Sequence, residues 1–170
     1  DHIYALMLLG HFKKQSAHKL IIDIFSLPDE LPHDLFGDIA TSDLPTILFN
    51  TCGGNVEHIK AMILNRKVDD YCRVSACQSL AYAVIEGYIP RKEAVEFFGN
   101  LFTGSETDEL SDFWGLLAGI VCDLYPKEII DTIKASYENG LIMPGLIRYK
   151  SFERALKNGK EWCLEMLRAN

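Results

Sequence analysis

The stretch from residue 69 to residue 98 constrains the fold of this chain more than any other. Apolar side chains recur at every fourth position of its first half, namely Cys72, Ala76, Leu80 and Val84. This spacing places them on one face of a helix. The following turn contains a glycine, which can end a helix, and a proline, which suits the first turn of the next one. The stretch therefore predicts two helices joined by a tight turn, and neighbouring hairpins must pack on it because one hairpin cannot bury its apolar face alone.

Composition and charge limit the class of partner. The 170 residues are 48% apolar and 24% charged, as in an ordinary globular domain, and the formal net charge is −7. A negative chain attracts nucleic acid only through a local basic cluster. The basic pairs that stand out are isolated from one another: Lys13-Lys14, Arg66-Lys67 and Arg91-Lys92. Generic binding to phosphate backbones is therefore disfavoured.

The sequence contains no recognisable membrane or export segment. No apolar run approaches the roughly 18 to 20 residues that span a bilayer, and no basic-then-apolar signal opens the chain. We therefore expect a cytoplasmic protein with no membrane partner. Because the sequence opens on Asp1 and enters an apolar helical pattern at once, we also expect upstream sequence to be missing, which leaves a secretion signal open.

The cysteines predict buried free thiols. The five residues are an odd number, form no CxxC pair and mostly occupy apolar helical positions: Cys52, Cys72, Cys77, Cys122 and Cys163. This usage is typical of a reducing cytosol. Cys72 and Cys77 lie roughly 140° apart around a helix at about 100° per residue, so they are poorly placed to share a metal. We therefore expect no stoichiometric zinc and no cofactor.

Four hairpins can be traced along the chain. Apolar segments at 3–9 and 17–25 predict the first, 44–52 and 56–63 the second, 69–101 the third and 110–137 the fourth, with one or two terminal helices after residue 145. Asp43 and Asn55 are predicted helix caps. Residues 26–42 contain two prolines and a glycine without a sustained period. We expect them to form the longest irregular link, holding a single short helical turn around residues 34–36.

The hairpins repeat at the spacing of paired-helix solenoids. Leu48 and Tyr82 lie 34 residues apart, and Tyr82 and Gly119 lie 37 apart. No alternating pattern is long enough for a sheet. We therefore predict an all-α fold, an α-solenoid or HEAT-like superhelix of about four antiparallel helical hairpins plus terminal helices. Residues 1–170 would form a single repeat domain.

The chain also resembles known repeat proteins. Asp70, Arg73, Ala76 and Leu80 resemble the first helix of a HEAT-type repeat. Most of the chain resembles an uncharacterised bacterial family of unknown function with HEAT-like helical repeats, through the segments YALMLLG at 4–10, GDIATSDLP at 37–45, RVSA at 73–76, WGLL at 114–117, DLYP at 123–126 and YENGL at 137–141. The resemblance implies the fold and no particular activity. Some members carry a C-terminal zinc-binding segment rich in cysteine and glycine, which residues 1–170 do not contain.

Catalytic chemistry has little support in the sequence. None of the histidines belongs to a recognised catalytic motif: His2, His11, His18, His33 and His58. The acidic residues of the link could converge on a divalent cation: Asp29, Glu30, Asp34, Asp38 and Asp43. Capping and turn formation explain their positions without a metal. A metal-dependent or carboxylate-based hydrolase that uses the 29–43 link is therefore an alternative function.

The favoured hypothesis is a non-enzymatic module that binds a protein or peptide. In a stack of hairpins the second helices line a concave surface, and their polar residues are the predicted partner-binding set: Glu57, Lys60, Arg91, Glu96, Lys127, Asp131 and Lys134. Trp114 is an aromatic candidate for the same role, although its apolar spacing favours core burial. Mixed charges favour a protein over a polyanion. We expect weak or no binding of duplex DNA or RNA at physiological salt and keep nucleic-acid binding as a second alternative.

Overall fold

The computed structural model describes residues 2–108 and 110–170, and its regular secondary structure is helical. Within these residues twelve α-helices follow in order: α1 His2–His11, α2 His18–Phe25, α3 Leu31–Phe36, α4 Ile39–Ser42, α5 Leu44–Thr51, α6 Glu57–Leu64, α7 Asp70–Ile85, α8 Arg91–Gly99, α9 Phe113–Asp123, α10 Ile130–Glu138, α11 Tyr149–Asn158 and α12 Lys160–Ala169. Short 3-10 turns at Gln15–Ala17 and Lys127–Ile129 precede α2 and α10. The extended pairing in the described part is one isolated antiparallel bridge between Pro28 and Val68. The predicted all-α class is confirmed.

The chain forms two compact units, Asp1–Tyr88 and Ile89–Asn170. In the first unit, α7 packs on α4, α5 and α6, and α1 packs on α5. The approach of α1 to α5 requires a glycine at residue 10, because a Cβ there would lie 2.9 Å from the Ile47 Cγ1 atom. In the second unit, α9 packs on α8, α11 and α12.

The four positions that the sequence assigned to the buried face of α7 are buried, but residues on its other faces, such as Ser75 and Ser79, are buried as well. Cys72, Ala76 and Leu80 are fully buried, and Val84 is 9% exposed. The N-cap of the helix is Asp69, which the sequence analysis did not single out. Its carboxylate accepts hydrogen bonds from the backbone N–H groups of Tyr71 (3.0 Å) and Cys72 (3.1 Å). The Asp69 side chain therefore provides a hydrogen-bond partner for two backbone N–H groups in the first turn of the helix.

Arg73 joins the start of α7 to the preceding helix. Its guanidinium is fully buried, and Nε donates to the Ile63 carbonyl at 2.9 Å, while Nη1 donates to the Asp70 carboxylate at 3.3 Å. Buried charges are tolerated when they are paired and hydrogen-bonded in this way. Arg73 therefore has a structural role within this unit.

The segment 26–42 differs from the expected irregular link, because it contains the two short helices α3 and α4. Pro32 lies in the first turn of α3, where its missing N–H costs nothing. Gly37 ends that helix with a φ of +57°. Phe36 packs on Phe25 with ring centroids 4.9 Å apart, and Ile39 and Ala40 are buried. Burial of these side chains, which the irregular sequence pattern obscured, holds both helices in place.

Several predicted helix ends are also corrected. The carboxylate of Asp43 does not cap α5, since it accepts a hydrogen bond from the Ser42 hydroxyl at 2.6 Å instead. The N-cap residue of α6 is Val56 and not Asn55, although the Asn55 amide oxygen does accept a hydrogen bond from the Glu57 N–H at 3.0 Å. The fourth hairpin starts at Phe113, whose N–H donates to the Ser111 hydroxyl, and not near Leu110, which is 92% exposed.

Two further predictions are confirmed. Gly159 separates α11 from α12, as the sequence indicated. All five cysteines are free and buried.

Candidate functional site

The predicted partner-binding residues occupy different environments. Glu57 is exposed on α6 in the first unit, and its carboxylate pairs with the largely buried Lys60 side chain at 3.5 Å. The other members of the set belong to the second unit. Four of these are exposed in the described structure: Glu96, Lys127, Asp131 and Lys134. These four have the accessibility that a polar contact with a partner requires.

Arg91 is held inside its own unit. Its Nη1 donates to the carbonyls of Leu124 (3.1 Å) and Tyr125 (2.7 Å) at the C-terminal end of α9, and its guanidinium makes a two-pronged pair with Glu128. Partial burial opposes ionisation of Glu128, but the hydrogen bonds and charge of Arg91 outweigh burial and lower the pKa of its carboxyl. Tyr125, whose carbonyl Arg91 contacts, lies just beyond the end of α9 and adopts a φ of +56°. Arg91 therefore satisfies carbonyls that the helix end leaves open.

Trp114 is also internal, with 1% of its surface exposed. Its indole N–H donates to the Leu101 carbonyl at 2.9 Å. It lines a cavity of about 760 Å³ together with residues that include Thr103, Thr132 and Ser136. None of the described lining residues is ionisable, so they offer no acid or base for proton transfer.

The outer face of α1 is an exposed apolar surface in the first unit. Leu6 and Gly10 face the core, whereas Tyr4 is 65% exposed and Met7 is 45% exposed. The helix contains no Asp, Glu, Lys or Arg, and Phe12 directly after it is 70% exposed. A helix that is apolar all round is normally buried. Sequence reasoning missed this surface, although the absence of charge between residues 2 and 11 is a signal for it.

His33, Asp69 and Cys72 form a cluster that the sequence did not suggest. Their potential ligand atoms all lie within 4.8 Å of one another, and His33 Nε2 is 3.0 Å from Asp69 Oδ1. Burial, followed by the charge and hydrogen bond of Asp69, raises the pKa of the Cys72 thiol to about 12. His33 comes from α3, so the segment 26–42 does supply a potential ligand. None of that segment's acidic residues belongs to this described cluster.

His18 is a buried neutral histidine. The Thr51 hydroxyl donates to the Ile47 carbonyl at 2.8 Å, so it accepts the hydrogen on His18 Nδ1, also at 2.8 Å. The other ring nitrogen, Nε2, is buried without a hydrogen-bond partner in the described structure, and the ring stacks on His58 with centroids 5.8 Å apart. Burial, and secondarily the neighbouring His58, lowers the pKa of His18 to about 4. His18 is therefore uncharged at neutral pH.

The low pKa of His18 predicts acid sensitivity. The unfolded chain, with a histidine pKa near 6.5, takes up a proton before the folded protein does. The stability that His18 contributes is fully present above about pH 6.5. As the pH falls towards 4, this contribution is lost and the free energy of unfolding decreases by about 2–3 kcal/mol. Urea unfolding across this range should show a shallower decline for His18→Gln than for the wild type. His11→Gln, at an exposed position, is the control, and equal slopes for His18→Gln and the wild type would contradict the assignment.

The α11 helix carries a basic face that the sequence pairs did not reveal. Lys150, Arg154 and Lys157 recur at intervals of four and three, and with Arg148 they line a surface depression of about 470 Å³. All four are exposed, and Glu153 is the acidic residue among the described lining side chains. Helical spacing brings charges that are separated in the sequence onto one face.

The described fold is that of an all-α protein of short packed helices. A family model described as "Protein of unknown function (DUF1186)" matches residues 1–170, and the chain belongs to that family. Uncharacterized proteins of Chlamydia muridarum and Chlamydia trachomatis serovar D are each 34% identical over 152 residues, which is 89% of this chain. The chain spans 61% and 60% of the length of these curated relatives. No solved structure matches the chain.

None of the described helices combines the length and the apolar character needed to cross a bilayer.

Proposed function

We propose that this chain is a non-enzymatic helical-repeat module, an α-solenoid of HEAT-like hairpins, that binds a protein partner. The observation that carries this proposal is the uncharged, half-exposed α1 helix. Contiguous apolar surface exposed to water is unfavourable, and in folded proteins it marks interaction sites. A protein partner removes this surface from water.

The chemistry of this face favours an amphipathic helix as the partner element. Tyr4, Met7 and His11 lie at intervals of three and four along α1, which forms a ridge that another helix can pack against. The exposed Lys13 and Lys14 follow immediately. The partner helix should therefore combine an apolar stripe with acidic residues at the end that lies near these lysines. Exposed polar residues of the second unit, such as Glu96 and Asp131, are candidates for separate contacts with the partner.

The test is a comparison of partner capture by the full-length wild-type protein and a Tyr4→Lys/Met7→Lys double variant in lysate of the native host. Quantitative mass spectrometry should identify a protein that the wild type retains and the variant loses. Because hot-spot losses reach about 2 kcal/mol or more, the purified partner should bind the variant at least about 30-fold more weakly. Leu64→Lys, at a 53% exposed leucine on α6, is the matched control and should keep the partner.

Two outcomes would contradict this proposal. A partner that binds the double variant as tightly as the wild type would place docking elsewhere. A wild-type dimer that the double variant converts to a monomer, as measured by sedimentation, would assign the α1 face to a second copy of the chain.

Polyanion binding is a second candidate function, favoured by the basic face of α11. Four exposed basic side chains on one face supply the local positive field that nucleic-acid binding requires. The net charge of −7 opposes it. An electrophoretic shift of duplex DNA or RNA that weakens with salt and disappears in Lys150→Glu/Arg154→Glu would support this function over protein docking.

A further inference from the structure

We propose that His33, Asp69 and Cys72 bind a divalent transition-metal ion, and that zinc is the ion their donor set fits best. The proposal is independent of the protein-docking function. It rests on the convergence of one imidazole nitrogen, one carboxylate and one thiol within 4.8 Å of one another. The sequence pattern did not indicate this cluster, because His33 and Asp69 are 36 residues apart in the chain.

The dimensions of the cluster suit a tetrahedral ion. Zinc binds nitrogen and oxygen ligands at about 2.0–2.2 Å and sulfur at about 2.3 Å, so neighbouring donors around it lie about 3.3–3.8 Å apart. The His33 Nε2 to Asp69 Oδ1 distance of 3.0 Å needs to open by a few tenths of an ångström, and a donor pair at the 4.8 Å limit needs to close by about 1 Å. Sulfur and imidazole donors disfavour calcium and magnesium, which prefer oxygen ligands.

The surrounding structure orients the His33 and Asp69 side chains before any ion binds. Two backbone N–H groups at the start of α7 fix the Asp69 carboxylate. The Tyr71 ring meets His33 edge-on, with centroids 6.3 Å apart. The bridge between Pro28 and Val68 holds the segment that carries His33 beside the segment that leads into α7. Such fixed supporting contacts are what metal ligands normally require.

Binding can be written as a balanced exchange. The Cys72 thiol releases its proton to solvent and binds as the thiolate. The hydrogen that His33 Nε2 donates to Asp69 leaves that nitrogen through exchange with solvent, and the neutral ring keeps its one hydrogen on Nδ1, so that Nε2 is free to bind the ion. The hydrogen bond between His33 and Asp69 is replaced by one bond from each residue to the ion. Three protein ligands leave a fourth position for water or an external ligand. The His33 and Asp69 side chains are 29% and 19% exposed, which gives solvent access.

The test uses the untagged full-length protein, stripped of metal by a chelator, reduced, and titrated with zinc or cobalt(II). We expect one ion per chain and, for cobalt, the near-ultraviolet absorption of a thiolate–cobalt bond. Cys72→Ser should abolish that absorption, and both Cys72→Ser and His33→Gln should weaken zinc binding at least about tenfold. Cys77→Ser is the matched control, because Cys77 is a fully buried thiol on the same helix outside the cluster.

The absence of thiolate–cobalt absorption in the wild type, or its persistence in Cys72→Ser, would overturn the proposal. Circular dichroism checks that each variant is folded. Should Cys72→Ser fail to fold, His33→Gln decides the matter, since its partly exposed position tolerates substitution. Zinc binding by His33→Gln as tight as that of the wild type would then reject the site.

Discussion

Replacing Trp114 with alanine is expected to lower the free energy of unfolding by about 3–5 kcal/mol. The indole is 1% exposed, so its removal leaves a cavity in the second unit and an unpaired carbonyl at Leu101. Urea unfolding followed by circular dichroism measures this loss without depending on tryptophan fluorescence. Trp114→Phe should lose less, because it retains most of the apolar ring and forfeits mainly the hydrogen bond.

Trp162→Ala provides the control for Trp114. Trp162 is partly exposed on α12, with the Arg154 guanidinium 5.3 Å from its ring centroid. Its removal should cost clearly less than that of Trp114. Equal losses for the two alanine variants would mean that Trp114 is not the buried anchor of its unit.

Replacing Leu80 with alanine is expected to cost about 2–5 kcal/mol. Leu80 is fully buried in the middle of α7, the helix against which α5 and α6 pack in the first unit. The cost combines lost transfer of the side chain from water with the cavity it leaves. The same urea unfolding experiment measures it.

The matched control for Leu80 is Leu64→Ala, at an exposed position on α6. A surface change of this kind should stay within about 0.5 kcal/mol of the wild type. A loss for Leu80→Ala as small as that of the control would show that the buried face of α7 is assigned wrongly.

Local sequence chemistry predicted the helices better than their ends. The four-residue spacing of Cys72, Ala76 and Leu80 indicated a buried helix face, and the same face is buried in the structure. The segment 26–42 was harder, because α3 and α4 have six and four residues and are too short to show a period. Their formation depends on burial of Phe36 and Ile39 by more distant residues.

The polar residues illustrate a different limit of sequence reasoning. Arg91 occupies a predicted surface position on α8, yet its guanidinium reaches Glu128 and two carbonyls 33 and 34 residues away. A long side chain at the edge of a helix can either face solvent or cap a neighbouring helix. Sequence spacing within one helix cannot distinguish these states, because the choice depends on which unsatisfied carbonyls lie within reach.

The sequence by itself determined the all-α class, the apolar face of α7 and the glycine that separates α11 from α12, because these follow from interactions between residues a few positions apart. Tertiary structure decided which apolar and polar groups remain accessible. It buried Trp114, left Tyr4 and Met7 on the outside of α1, and brought His33 to Asp69 and Cys72. These outcomes depend on packing between segments far apart in the chain, which local periodicity does not encode.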